Sequence, residues 1–299
     1  MKSKYNKKLT KQAVLILAHK DLEQVVKLCE KISPYFEIYI HIDKSTFINN
    51  EIKTELTNMN VHWWSVYNVK WGSYNIVLAT VMLMKEALKD DQNSYFHLIS
   101  GQDWPLQDPL TIFNNFVNDQ NIYMDYFKAK NTFKAGENLI WWVKYYFNYN
   151  QINRRSLFGK IYHRLILLIQ RMIRIDKLKK NHLDSDAIYA GQEWVDIPRD
   201  ALSYAIKEFD SNKAIQRVFE TSFCSDEMWL QTILCNSNFK DRINKDIHRY
   251  INWTEKNGSY PAILDEEDFD KIKNGDYWWG RKISMPISNE LIKRLEIIE

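Results

Sequence analysis

The apolar and polar positions of this chain fall into segments of two different periods. Gln12 to Ala18 (QAVLILA) is an unbroken apolar run between polar flanks, the pattern of a strand buried on both faces. From Asp21 to Ile32, the residues Leu22, Val25, Val26, Leu28, Cys29 and Ile32 recur at helical spacing, and Pro34 stops them. Glu37 to Ile42 (EIYIHI) alternates and is rich in β-branched and aromatic residues, which predicts a second strand. Strand, helix and strand within about 30 residues make a βαβ unit, the start of a parallel sheet. Asn60 to Val66 predicts a third strand, and Asn75 to Leu88 an amphipathic helix. Ser94 to Ser100 predicts a strand that ends in the turn Gly101-Gln102-Asp103-Trp104-Pro105, and Asn121 to Phe127 another strand. The expected class is α/β, with an open, mostly parallel central sheet flanked by helices. In such sheets ligands gather beyond the carboxyl ends of the strands. His19-Lys20, Asp43-Lys44 and Gln102-Asp103 all fall at those ends.

The second half has a different texture. Trp141 to Tyr149 is crowded with aromatics, and Arg154 to Lys180 is basic and apolar together. Within it Leu157, Ile161, Leu165, Leu168, Met172 and Ile175 recur at intervals of 3 and 4, with Arg164, Arg171 and Arg174 between them. Two readings fit this pattern. One is a helix lying in the plane of an anionic membrane. The other is a core helix with a solvated cationic face. Gln192 to Phe219 reads as helical after a short strand, and Ser225 to Leu234 as a helix with Ser225 at its N-cap. Beyond Asp246 the chain is loop-rich, with an acidic stretch at Asp265 to Asp270 and an aromatic-cationic run at Tyr277 to Lys282. No Gly-, Ser- or Pro-rich linker and no repeat interrupts it, so a single domain over residues 1–299 is expected.

Composition narrows the function classes. A net charge of +3 is too weak for a nucleic-acid partner, which needs a concentrated basic face. Three cysteines (Cys29, Cys224, Cys235) are an odd and sparse set, which favours a reducing compartment. The Lys-rich start, Met1 to Lys11, precedes an apolar run too short for a signal-peptide core, and no stretch reaches the ~18 apolar residues of a membrane span. A cytoplasmic protein is expected, peripheral at the inner face of the membrane if the 154–180 segment touches lipid. Aromatic residues make up 14%, an excess that suits stacking on sugar faces as well as a large aromatic core. Neither GxGxxG nor GxxxxGK occurs, so any bound phosphate must meet cationic side chains, a metal or a helix N-terminus.

Ser225-Asp226-Glu227 places acidic side chains in a helix's first turn, where the dipole favours them. A structural role alone explains such a triplet; a catalytic role would aim one carboxylate into a cleft as general base. Arg281-Lys282, behind Tyr277-Trp278-Trp279-Gly280, is a cation pair suited to clamping a diphosphate. Asp184-Ser185-Asp186 and Asp268-Phe269-Asp270 have the DxD spacing of divalent-cation sites, but neither follows a strand pattern, and no metal site is assigned. Cys224 has no partner histidine by pattern and reads as packing.

Taken together, Ala18-His19-Lys20, His41-Ile42-Asp43-Lys44, Trp71-Gly72-Ser73, Leu98 to Leu106 (LISGQDWPL), Ser225-Asp226-Glu227 and Gly280-Arg281-Lys282 occur in an order that resembles one family. It is the core-2/I-branching β-1,6-N-acetylglucosaminyltransferases, which include the peptide O-xylosyltransferases. The match is dense over residues 12–110 and returns in short motifs to about residue 283. The resemblance implies a GT-A-like fold with a nucleotide-binding half (1–130) and an acceptor-binding and catalytic half (131–299). It implies an inverting transfer of a sugar, GlcNAc or xylose, from a UDP-sugar to a glycan or lipid-linked acceptor, without a metal, in bacterial surface polysaccharide synthesis. On this reading Glu227 is the base, His19, Asp43, Asp103, Arg281 and Lys282 line the donor site, and Gln192, Glu193 and Trp194, after Gly191, meet the acceptor. The family's phosphate-binding arginine about 20 residues before the lysine is missing from Ser259 to Ile263, which leaves Arg281 or Arg249 to replace it. The rival reading is a non-catalytic carbohydrate- or nucleotide-binding protein on the same fold.

Overall fold

A computed structural model describes residues 11–134 and 136–298; of the N-terminal stretch Met1 to Lys11, all but Lys11 lies outside the described residues. The elements in chain order are β1 (Lys11–Ala18), α1 (Leu22–Ile32), β2 (Glu37–Ile42), α2 (Asn50–Asn58), β3 (His62–Trp64), α3 (Tyr74–Leu88) and β4 (Asn93–Ser100). There follow β5 (Asp103–Pro105), α4 (Pro109–Asn115), β6 (Ile122–Met124), β7 (Phe127–Lys128), β8 (Phe133–Lys134), β9 (Glu137–Asn138), α5 (Ile140–Lys144), α6 (Leu157–Met172) and α7 (Lys177–Lys180). The last are β10 (Tyr189–Ala190), β11 (Val195–Pro198), α8 (Arg199–Ser211), α9 (Lys213–Glu220), α10 (Trp229–Cys235), β12 (Ile243–Asn244), β13 (Arg249–Ile251), α11 (Phe269–Lys273), β14 (Trp279–Arg281) and α12 (Asn289–Ile298).

The main sheet has seven strands in the order β12-β6-β11-β4-β1-β2-β3. β4, β1, β2 and β3 run parallel, and β11 is antiparallel to both neighbours, β4 and β6. The expected class, α/β with an open and mostly parallel sheet, is the one found. β1 explains why its sequence is a continuous apolar run. Ala13 and Leu15 pack into one hydrophobic core with α3, α8 and α10, whereas Val14 and Ile16 pack into the other with α1, α2 and α12. All four are fully buried, and each such Leu or Ile contributes about 1.5–3 kcal/mol of transfer free energy. A second, three-stranded sheet, β13-β14-β5, lies beyond the end of β4.

Several expected boundaries shift, each for a local reason. The third strand shrinks to His62–Trp64 and follows a helix, α2, whose start is capped by Asn49 accepting from Ile52 N–H at 2.8 Å. The turn after β4 is only Gly101-Gln102, because Asp103–Pro105 pairs with β14. Asn121 to Phe127 splits into β6 and the start of β7. The helical stretch from Gln192 becomes β11 followed by α8 and α9, divided at Asn212, whose side chain caps α9. Tyr277 to Lys282 supplies strand β14.

The largest surprise is α6. Its inward face carries polar residues: His163 pairs with Glu137 at 2.8 Å and with the Tyr149 hydroxyl, and Gln170 makes paired bonds with the Tyr146 backbone at 2.8 and 2.9 Å. The apolar stripe therefore faces outward, which removes the reading of a core helix with only a solvated cationic face. Lys177 departs from the surface pattern too. It is fully buried and donates to Val218 O, Thr221 Oγ1 and Ser222 Oγ.

Candidate active site

The motif residues converge beyond the carboxyl ends of β1, β2 and β4. Asp43 N–H donates to Ala18 O at 2.8 Å, tying the ends of β1 and β2. Its carboxylate accepts from Ser45 N–H (3.1 Å), the Ser45 hydroxyl (2.9 Å) and Val69 N–H (3.0 Å). Two residues earlier, His41 Nε2 accepts from Val66 N–H (3.3 Å) and Tyr67 N–H (3.0 Å). Burial pushes the His41 imidazole down to about 4, so the ring is neutral and able to accept. His41 and Asp43 thus hold the 66–69 backbone, and Asp43 is committed to shaping the pocket wall. That backbone leads into Trp71-Gly72-Ser73. Gly72 has φ of 72°, and a Cβ there would meet a Phe223 ring carbon at 2.4 Å. The Gly72 carbonyl accepts from Cys224 N–H at 3.1 Å, so the turn lies directly against Ser225-Asp226-Glu227.

That triplet is not the first turn of a regular helix. Cys224 takes a left-handed φ of 48°, residues 225–227 form a 3₁₀ turn, and Met228 breaks the backbone before α10 begins at Trp229. The expected N-cap is therefore wrong: the buried Ser225 hydroxyl has no hydrogen-bond partner. Gly191 N–H donates to Glu227 O (2.9 Å), and Gln231 Nε2 donates to Gln192 O (2.7 Å). These bonds clamp residues 191–194 onto the same turn. Gly191 is required there because a Cβ would fall 2.0 Å from Asp125 O.

Two of the acidic side chains gathered here are raised. Burial pushes Glu193 well above the ordinary carboxyl range, and the nearby Asp226 charge adds to it while Arg281 opposes. Burial, then the Glu227 charge, brings Asp226 up to about 7. Burial and the neighbouring carboxylates thus favour the protonated form of Glu193, which can donate a hydrogen bond. The Glu227 side chain is 26% exposed and pairs with Lys134 Nζ at 3.0 Å. Lys134 is held above the lysine range because the Glu227 charge and hydrogen bond outweigh burial.

The basic side of the site is reached through β14. Arg281 stands opposite Asp103 in register, with Nη1 3.6 Å from the carboxylate, and its guanidinium stacks 4.0 Å over the Trp194 ring. The Asp103 carboxylate is buried and accepts from Ser100 N–H. Gln24 fastens this region, donating to Gly101 O and Ile283 O, both at 3.0 Å. Lys282 donates to Ser259 Oγ at 3.0 Å; burial lowers its ammonium to about 8, with the charges of Arg281, Arg155 and Lys20 adding. His19 is lowered by burial and then by Lys20, with Arg155 contributing, so it belongs to the same neighbourhood. Arg249, by contrast, is buried against Asp196 at 3.0 Å in a network with His97 and Gln12. It is not available to a phosphate.

The hydrogen-bonding inventory of this region is incomplete in a telling way. Among the described residues, fourteen buried side-chain polar atoms have no hydrogen-bond partner, and six of them lie here: Gln192 Oε1, Glu193 Oε1, Ser225 Oγ, Asp226 Oδ1, Gln231 Oε1 and Arg281 Nη1. Unpartnered buried polar atoms are rare in folded proteins and costly, so such a concentration marks a site shaped for a polar ligand. The DxD pairs do other work. Asp184 caps a short turn and Asp186 pairs with Lys130 at 2.9 Å. Asp268 accepts from the Tyr250 hydroxyl at 2.8 Å and completes a capping box with Asp265.

The core-2/I-branching enzyme family model matches residues 13–273. The chain belongs to this family of glycosyltransferases. A curated relative, the xylosyltransferase sqv-6 of Caenorhabditis briggsae, is 23% identical over 240 residues, which is 77% of this chain but 27% of that protein. Among solved structures, the chain is similar to the apo WbbM bifunctional glycosyltransferase (9% identity, 92% of this chain and 46% of that one, TM-score 0.40). It is also similar to a glycosyltransferase involved in glycosylation of the major capsid of PBCV-1 (7% identity, 95% and 99%, TM-score 0.33). At these scores the fold class rests on the sheet topology described above.

The structure thus brings together His19, Asp103, Gln192, Glu193, Trp194, Glu227, Arg281 and Lys282 from among the expected residues. It adds two that sequence reasoning did not place in the site, Lys134 on Glu227 and Arg155 beside Lys282, and it puts Lys20, noted at the end of β1, beside Lys282 as well. Arg155 sat unnoticed within a long basic tract, and nothing in the sequence distinguishes Lys134 from its neighbours.

Proposed function

We propose that the chain is an inverting, metal-independent glycosyltransferase that moves GlcNAc or xylose from a UDP-sugar to a hydroxyl of a glycan or lipid-linked acceptor. The observation that carries this reading is the group of unpartnered buried polar atoms flanked on one side by cations and on the other by a half-buried, lysine-paired carboxylate. The diphosphate belongs with Lys282, Lys20 and Arg155, whose charges converge here, Lys20 also pairing with Asp21 at 3.4 Å. On this reading the converging cations take the place of a metal. Arg281, held by Asp103 and Trp194, supports the clamp from behind.

The Glu227 carboxylate takes the proton of the acceptor hydroxyl as its oxygen attacks the anomeric carbon. The bond from that carbon to the β-phosphate oxygen breaks, and its electron pair leaves on UDP, where the cations offset the charge. Attack opposite the leaving group inverts the anomeric configuration. Glu193, whose protonated form burial favours, donates to a sugar hydroxyl instead of competing as a base. A role in bacterial surface polysaccharide synthesis, at the inner face of the membrane, accords with these substrates.

A melting-temperature screen checks the donor class. UDP and a UDP-sugar, in EDTA, raise the transition as expected of about 2.7 kcal/mol of stabilisation at 100 times the dissociation constant, and NAD does not. No shift with any UDP compound, with or without added divalent metal, withdraws the donor assignment.

A further inference from the structure

Among the described residues, nineteen large hydrophobic side chains are exposed, and eight of them lie on α6 and its C-cap: Leu157, Phe158, Ile161, Leu165, Leu168, Ile169, Met172 and Ile173. Leu157, Phe158 and Met172 are 77%, 67% and 73% exposed, so the stripe is open along its whole length. Its cause is on the opposite face. His163 and Gln170 point inward to Glu137, Tyr149 and Tyr146, and with 3.6 residues per turn this turns the apolar stripe away from the body. A helix that buries His163 and Gln170 beside Leu167 and leaves most of its large apolar residues exposed is inverted for a surface that meets only water.

The occupant of this face is set by charge. Lys160, Arg164 and Arg171 are spaced along one line of α6 between the buried face and the apolar stripe, and Arg174 follows the helix; all are exposed. From Arg154 to Lys180 there are nine Lys or Arg residues and one acid, Asp176. An apolar stripe bordered by cations matches a layer whose interior is hydrocarbon and whose surface is anionic. A second copy packed antiparallel on this face would instead bring two cation rows against one another. The helix has 16 residues, about 24 Å, which is shorter than the ~30 Å hydrocarbon core, so it lies in the interface without crossing it. We propose that α6 docks the protein on an anionic bilayer surface, with the apolar stripe among the acyl chains and the cation row at the headgroups. Arg155, just before α6, belongs to the cation group around Lys282, so docking holds the site close to the headgroups.

Flotation with lipid vesicles tests this without reference to catalysis. The full chain is mixed with vesicles of phosphatidylcholine alone, or of phosphatidylcholine with phosphatidylglycerol. It floats with the anionic vesicles, and salt weakens the binding. The triple variant Leu165→Gln, Leu168→Gln, Met172→Gln stays in the aqueous fraction while melting no lower than the parent, since these side chains are exposed. The variant Lys160→Ser, Arg164→Ser, Arg174→Ser partitions on the order of 100-fold less, about five-fold per cation removed. A parent chain that ignores anionic vesicles overturns the proposal. So does a concentration-dependent dimer, abolished by the apolar triple variant and unaffected by vesicles, because a second copy then covers the face.

Discussion

Glu227→Gln lowers turnover by roughly 10²–10⁴-fold and leaves the UDP-induced rise in melting temperature in place. The amide keeps the shape of the side chain but cannot accept the acceptor's proton. Its pairing with Lys134, whose side chain is 53% exposed, is a surface interaction worth under about 1 kcal/mol, so the fold survives its loss. The same substitution at Glu193 is the informative control. Burial favours the protonated form of that carboxyl, which Glu193→Gln imitates, so the expected loss is far smaller. Initial rates of UDP release, with donor affinity from the melting shift, measure both variants. If Glu193→Gln is the more damaging and Glu227→Gln is mild, the base has been assigned to the wrong carboxylate.

The second large effect belongs to Lys282. Lys282→Ala lowers kcat/KM for the donor by about 10²–10³-fold, the usual loss when a charge aimed at a developing anion is removed. Its pH dependence is the sharper signature. Burial lowers the ammonium to about 8, so it is cationic below that pH and loses its charge above it. Donor kcat/KM therefore falls by about tenfold per pH unit above 8, while kcat stays level because the bound diphosphate holds the proton on Lys282. Lys282→Arg removes that alkaline limb, since a guanidinium stays charged throughout. A limb that persists unchanged in the arginine variant places the titrating group elsewhere.

How much of this was legible in the sequence depends on where each residue's partners lie. β1, α1, β2 and α3 were readable because their apolar periods follow from burial against near neighbours. β5 was not, because its pairing partner β14 is far along the chain. The family motifs show which residues to look at but not what each one bonds to: His41 and Asp43 both accept from the 66–69 backbone. Sequence also cannot separate Glu193 from Glu227, since the difference between them is burial and the presence of Lys134. For α6 the stripe itself was visible, but its direction was fixed by Glu137, Tyr146 and Tyr149 from the preceding segment. The 3₁₀ turn at 225–227 escaped notice because the left-handed Cys224 that forces it is not a residue type that announces such a conformation.

The most direct test of a single displacement at Glu227 needs no knowledge of the acceptor. When water takes the acceptor's place, the sugar freed from an α-linked UDP-sugar is followed by proton NMR before its anomers equilibrate. Inversion by one base predicts that the β-anomer appears first and that Glu227→Gln slows its release. Early appearance of the α-anomer would mean two displacements through a sugar-enzyme intermediate, and would contradict the arrangement of base and cation clamp described above.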